Sequence, residues 1–188
     1  MIPNFVEFPK MARLSREIVI TEKIDGTNAN ITITEDGQFL TGSRTRWITP
    51  MDDNHQFAAW ALMNRDELMK LGPGTHFGEW WGSGIQRGYG LPKGEKRFSL
   101  FNTHRWSDDA VRPACCHVVP ILYSGPFDMG HIKGRLDALE VGGSIAAPGF
   151  MNPEGIVIFH TAANFCFKKT IHKDEMPKAV AERMATAA

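Results

Sequence analysis

The sequence predicts an α+β fold in which antiparallel strands outnumber helices. Three features carry that expectation. Short apolar strings bounded by glycine, proline or polar turns recur along the chain, one string alternates and turns at Asp36-Gly37, and only two longer segments show helical spacing. At 188 residues the chain can build one sizeable core, so a single domain is expected.

A first strand is expected from Glu17 to Ile20, running into the string TEKIDGTNAN. A hairpin follows, because Ile31 and Ile33 alternate with Thr32 and Thr34, Asp36-Gly37 suits a tight turn, and the pattern resumes at Phe39. The next segment predicts a helix from Pro50 to Leu71. Thr49 would cap it, Pro50 suits its first turn, and Asp52 and Asp53 favour the positive end of its dipole. Phe57, Trp60, Ala61, Leu68 and Leu71 fall on one face, and Gly72-Pro73 stops it. Strands are expected at THFGEWW, RFSLFN and CHVVPILY. A second helix starts after Asp128 with Ile132, Leu136 and Leu139 as its stripe and Gly142-Gly143 as its end. GIVIFH and NFCFKKT are the last strands, and HKDEMPKAVAERMATAA reads as a short surface helix.

Composition narrows the function classes. Lysine plus arginine, 21, equals aspartate plus glutamate, 21, so a strongly basic coat for nucleic acid is absent while a local basic cleft is compatible. No apolar run is long enough to cross a bilayer, and MIPNFVEFPK lacks the basic and apolar parts of a secretion signal. Cys115, Cys116 and Cys166 have no C-x-x-C spacing and the histidines form no H-x-x-x-H pair. Reduced cytoplasmic thiols are therefore expected in place of a disulfide frame or a zinc site.

Charged groups recur at the ends of, or inside, apolar strings. Lys23 closes the first strand and Arg44 lies in GSRTR. Glu79 lies in FGEWWG, Glu154 opens EGIVIF, and Lys168 and Lys169 end FCFKK. One such charge alone reads as solvated surface. Together they suggest a site, because charges within apolar strings are costly to bury unpaired. Lysine is a poor nucleophile while protonated, and nearby cations such as Lys168, Lys169 and Arg44 favour its neutral form and can hold a phosphate. Glu154 can bind Mg²⁺, which helps pyrophosphate leave, Glu79 can accept from ribose hydroxyls, and an aromatic can stack on a base. That set describes nucleotidyl transfer onto lysine.

These strings resemble the covalent nucleotidyltransferases, which include ATP-dependent polynucleotide ligases and capping enzymes. EKIDGTN is similar to their motif I, SRTR to motif Ia, FGEWWG to motif III, RFSLFN to motif IIIa, EGIVIF to motif IV and FCFKKT to motif V, in that order. Within the superfamily, E-K-x-x-G-T-N and GEWWG most resemble the phage-type RNA ligases. The resemblance implies the ligase adenylation fold and three steps: Lys23 takes AMP from ATP, AMP passes to an RNA 5′-phosphate, and a 3′-hydroxyl displaces it. It further implies ATP and Mg²⁺, or Mn²⁺, as cofactors. Glu22 would lie against the adenine, Arg44 would contact phosphate or ribose, and Glu79 the ribose hydroxyls. Phe101 would stack on the base with Phe98 as a packing neighbour, Glu154 would serve the metal, Lys168 and Lys169 the α-phosphate, and Asn28 the RNA ends.

Three departures from the family pattern matter. Adjacent Lys168 and Lys169 replace K-x-K, and on a strand they point to opposite faces, which favours Lys168 for the phosphate. Asp25 matches DNA ligases and capping enzymes, where many RNA ligases have histidine. Eighteen residues follow Thr170 (188 minus 170), so no appended C-terminal domain is expected, and an accessory protein could position the RNA. The competing readings are a DNA ligase, a GTP-using capping-type transferase, and a non-catalytic nucleotide or RNA-end binder. GSGIQRGYG fits no phosphate-loop spacing and is expected to be a flexible loop beside the pocket, with Arg87 and Tyr89 touching RNA. Of Trp80 and Trp81, one is expected to be packed and the other partly exposed.

Overall fold

The structure, a computed structural model, describes residues 3–172 and 174–175. The expected C-terminal helix lies mostly outside them. In chain order the elements are β1 (Glu17–Lys23), β2 (Thr27–Ile33), β3 (Phe39–Ser43), β4 (Trp47–Ile48), α1 (Phe57–Met63) and α2 (Arg65–Leu68). After these come β5 (Gly74–Gly82), β6 (Lys96–Leu100), α3 (Thr103–Trp106), β7 (His117–Val118), β8 (Ile121–Pro126), α4 (Met129–Gly142), β9 (Gly155–His160) and β10 (Phe165–Thr170). They build a four-stranded sheet, β10-β9-β1-β8, and a six-stranded sheet, β4-β3-β2-β5-β6-β7. All strand pairs are antiparallel except β6 with β7. This is the α+β architecture with antiparallel sheets and flanking helices that the sequence predicts.

Each sheet buries one face under helices. Ile18, Ile20, Ile156 and Ile158 of the smaller sheet pack against Ile132 and Leu139 of α4. Asp128 caps α4 by accepting from Gly130 N at 2.6 Å and His131 N at 3.2 Å, and Gly143 ends it with a left-handed φ of 81°. The larger sheet packs Ile31, Trp80, Phe98 and Leu100 against Phe57, Ala61, Leu68 and Leu71. At seven residues α1 is too short to be stable alone. Burial of Phe57, at about 1.5–3 kcal/mol for a large side chain, holds it in place.

The long helix expected from Pro50 to Leu71 is shorter and broken. Thr49 and Asp52 exchange backbone hydrogen bonds at 3.3 and 3.0 Å, which ends the β3–β4 hairpin instead of starting a helix. Asp52 pairs with Arg46, and His55 and Gln56 adopt left-handed φ values of 50° and 67°. Helix geometry begins only at Phe57 and breaks at Asn64. Asp53 still serves the helix N-terminus, from a distance in sequence: its carboxylate accepts from Ala58 N at 2.8 Å and Ala59 N at 2.9 Å.

CHVVPILY is likewise two strands in two sheets. Pro120 has no N–H for a ladder, and its carbonyl accepts from Glu22 N at 3.0 Å where the chain changes sheets. The chain makes the same crossing between Lys23 and Thr27. Ile24 and Val119, one from each crossing, pack with Trp81, Tyr89 and Ala147 into a third cluster between the sheets. Both tryptophans are buried, against the expectation for the pair. Trp80 lies in the core under α1 with Nε1 donating to His55 O, while Trp81 faces the third cluster with Nε1 donating to Ser99 Oγ. No helix among the described residues is long and apolar enough to cross a membrane.

Candidate active site

The K-I-D-G turn is the crossing from the smaller to the larger sheet, so its residues face both. Lys23 ends β1 opposite Gly155 of β9, and this register brings Lys23 Nζ to 2.5 Å from Glu154 Oε2. Both side chains are mostly buried, 22% and 15% exposed, so the pair is largely shielded from water. Gly155 permits the approach of β10: a Cβ there would lie 2.2 Å from Lys169 O.

Gly26 does the same for β5. A Cβ on it would lie 2.4 Å from Trp80 O, and without one its N–H donates to Glu79 Oε1 at 3.0 Å. Asn28 Nδ2 donates to the other oxygen, Glu79 Oε2, at 2.8 Å. Burial pushes the Glu79 carboxyl up to about 7, although the Asn28 hydrogen bond, the Lys23 charge and the Gly26 N–H all oppose the rise. Glu79 is thus a fixed acceptor that titrates near neutrality.

Directly paired residues of adjacent strands share a face. Thr21, Val157 and Lys168 are paired in this way, and Lys23 follows Thr21 by two residues, so Lys168 lies on the Lys23 face. Lys169 belongs to the opposite face with Ile156 and Glu22, and its Nζ lies 3.0 Å from Asp174 Oδ2. On the larger sheet, Glu79 pairs with Ser99, which puts Phe101, two residues on, toward the Glu79 face, 42% exposed. Phe98 lies on the other face, fully buried in the core. Arg44 is exposed in the turn between β3 and β4, and continuing the β2–β3 register sets it level with Asn28.

Glu22, expected from the resemblance to lie against the adenine, points away from the Lys23 face. Its side chain leaves the sheet on the α4 side, 1% exposed. The carboxylate accepts from Ser144 Oγ at 2.5 Å, Ile145 N at 2.8 Å and Ala146 N at 2.9 Å. Those three donors make it the anchor of the loop after α4. Alternation along β1 separates it from the face that Lys23 presents.

The glycine-rich loop also differs from its expectation. Tyr89 is 2% exposed and holds a left-handed φ of 51°; its hydroxyl accepts from Asp25 N at 2.8 Å. Arg87 Nε donates to Asp25 Oδ2 at 3.0 Å, and its Nη1 donates to Asn152 O at 2.9 Å and to Asn152 Oδ1 and Pro153 O at 3.0 Å. These two residues point inward and join the turn after Lys23 to the segment before Glu154. Sequence reasoning missed that role, and its signal was the one arginine in a glycine-rich string beside an acid-bearing motif.

The sequence model of the family described as RNA ligase matches residues 16–173. No curated protein matches the chain. A variant of Naegleria gruberi RNA ligase with ATP and Mn superposes with a TM-score of 0.62 at 20% identity, covering 91% of this chain and 52% of that one. A second variant with ATP and Mn gives 0.62 at 19% identity, with 97% and 59% covered. A third, with AMP and Mn, gives 0.60 at 20% identity, again with 97% and 59% covered. The chain spans about half to three-fifths of the length of these structures, and at such identity the likeness is one of fold.

Proposed function

The chain belongs to the RNA ligase family, and from that premise we propose that it is an ATP-dependent RNA ligase working through a covalent Lys23–AMP adduct. One observation carries the reading: Lys23 Nζ lies 2.5 Å from Glu154 Oε2 where the chain crosses between the sheets, within reach of the charge of buried Glu79. A lysine, its paired carboxylate and a buried acid meet at one junction, an arrangement that supports a nucleophile, a metal ligand and a ribose acceptor.

In the resting chain Lys23 is ion-paired with Glu154. Attack needs the Nζ lone pair, so Nζ gives up a proton to water as it meets the α-phosphorus of ATP. The Nζ–P bond forms, the bond to the bridging oxygen breaks, and pyrophosphate departs with that electron pair. An oxygen of an RNA 5′-phosphate then attacks the same phosphorus, and Nζ leaves and regains a proton. Last, a 3′-hydroxyl loses its proton and attacks the activated 5′-phosphate, and AMP leaves. Lys168, on the Lys23 face, supplies positive charge to the α-phosphate, Glu79 accepts from the ribose and Phe101 stacks on the adenine. Arg44 contributes a phosphate contact, Lys169 adds charge from the far side of its strand, and Asn28, level with Arg44, faces the RNA ends.

The residues also fit a divalent cation. Glu154 offers hard carboxylate oxygens beside Lys23. Because no group of three or more His, Cys, Asp or Glu suited to a metal occurs among the described residues, the cation would lean on this carboxylate and on substrate phosphates, as Mg²⁺ does. When bound it neutralises triphosphate charge and eases departure of pyrophosphate. The Naegleria gruberi relatives, held with ATP or AMP and Mn, agree with that chemistry. Asp25, the residue that favoured DNA-joining or capping relatives, has a local explanation in its pair with Arg87.

The test is to incubate the protein with Mg²⁺ and α-labelled ATP or, separately, GTP, and to look for label on the denatured chain. An acid-labile adduct from ATP that disappears in Lys23→Ala is expected. No adduct, or one that survives in that variant, would refute the reading. Sealing of pre-adenylylated RNA and not of the equivalent DNA tests the acceptor.

A further inference from the structure

The Glu79 face of the larger sheet continues away from Lys23 as a row of paired positions. Trp47 pairs with Gly42, Gly42 with Asn30, and Asn30 with Phe77, while Phe101 N donates to Phe77 O at 3.0 Å. These five residues therefore lie straight across the sheet on one face. Its three aromatics face solvent, Trp47 and Phe77 at 58% and Phe101 at 42% exposure. A solvated sheet face is ordinarily polar, so large aromatics at both ends of one row call for an occupant.

Between them the row is low. Gly42 has no side chain, and Asn30 is tied down by Nδ2 donating to Ser43 O at 3.1 Å. A Cβ on Gly42 would come within 2.5 Å of Asn30 Nδ2, so the floor has no room to rise. Here a cavity of about 290 Å³ opens, lined by Asn30, Ser43, Thr45, Arg46 and Trp47. Arg44, exposed in the same turn, makes no ion pair with any described residue. From β4 to β5 is three strand spacings of about 4.8 Å, or roughly 14 Å in all. That matches about four stacked base steps of about 3.4 Å.

Aromatic platforms beside a cation have the chemistry of a single-stranded nucleic-acid site, in which bases stack on rings and phosphates meet arginine. We infer that this trough is a track for single-stranded RNA, with bases stacked on Trp47 and Phe77 and a phosphate held by Arg44, and that it delivers an RNA end to Lys23. Phe101 closes the track beside the proposed adenine position. The inference rests on the RNA ligase reading and adds to it where the strand lies. An apolar peptide would meet the rings but, once pyrophosphate has left, would offer Arg44 no counter-ion, so charge favours RNA.

The chain supplies its own probe. Of its tryptophans, Trp80, Trp81 and Trp106 are buried and Trp60 is half-buried, while Trp47 is exposed. A single-stranded RNA of about ten nucleotides is titrated into the full chain while tryptophan emission is followed, beside an abasic ribose-phosphate oligomer of equal charge. The RNA should quench the exposed component to saturation and the abasic oligomer should not, and Trp47→Phe should abolish the quench while keeping the circular dichroism of the parent. Trp47→Ala and Phe77→Ala should each weaken RNA binding by about tenfold. No quench in the parent, a quench that persists in Trp47→Phe, or unchanged affinity in both alanine variants overturns the track. Lys23–AMP formation by the parent is measured separately. If the adduct forms without a quench, the track alone falls; if no adduct forms, the ligase reading falls whatever the fluorescence shows.

Discussion

Substituting Glu79 by glutamine isolates the protonation of one buried acid. The carboxyl is raised from an ordinary 4.5 to about 7, chiefly by burial, and its side chain belongs to a residue only 8% exposed. Between those two pH values the folded chain holds a proton that the unfolded chain has released. The stability this confers is fully present below about pH 4.5, declines by about 1.4 kcal/mol per pH unit, and is lost once pH passes about 7. The whole step is roughly 3 kcal/mol. Glutamine removes it. Glutamine also has one acceptor oxygen where Gly26 N and Asn28 Nδ2 use two, which adds a pH-independent cost of about 1–3 kcal/mol. Urea unfolding of parent and variant from pH 4.5 to 8 separates the two effects. His76 and His117, lowered by burial, tilt both curves the opposite way and cancel in the difference. Curves that stay parallel across this range would refute the account of Glu79.

Gly26→Ala should cost about 1–3 kcal/mol in urea unfolding and abolish Lys23–AMP formation, because the new methyl meets Trp80 O and moves the N–H that fixes Glu79. Asp53→Ala should lower the melting temperature by about 2–4 °C, since it removes about 1 kcal/mol of capping at α1. Arg87→Ala and Asp25→Asn should each slow adduct formation by about tenfold or more, and the double variant should be no slower than the worse single one, as one shared bond predicts. Additive losses in single-turnover kinetics would show that the two residues act separately.

Much of this architecture was legible in residue order. The β2–β3 hairpin followed from alternation around Asp36-Gly37, and α4 from Asp128, its apolar stripe and Gly143. Charges in apolar strings pointed to Lys23, Glu79 and Glu154, because an unpaired charge seldom sits there. What escaped depended on long-range partners. Residues 50–56 have helix-compatible composition, yet the hairpin bridge at Thr49 and the pairing of Asp52 with Arg46 draw them elsewhere. CHVVPILY reads as one strand because the second sheet that takes its tail is invisible locally. Glu22 and Lys23 are neighbours in sequence, and alternation alone says that they part. Only the loop at Ser144 reveals what the first of them holds. Arg87 and Tyr89 looked like solvent-facing loop residues because nothing in a glycine-rich string announces a partner 62 or 64 positions away.

The bond between Asp25 and Arg87 has a consequence for descent. An acid at position 25 resembles the pattern of enzymes that join DNA or cap RNA, whereas here it answers to the guanidinium across the turn. If histidine stood there, Arg87 would face a neutral or cationic ring and would repel it when protonated. A change at one position should therefore be felt at the other. A relative that has exchanged one should carry a compensating change at the other, and here the acid at position 25 is accounted for by its neighbour without reference to the polymer being joined.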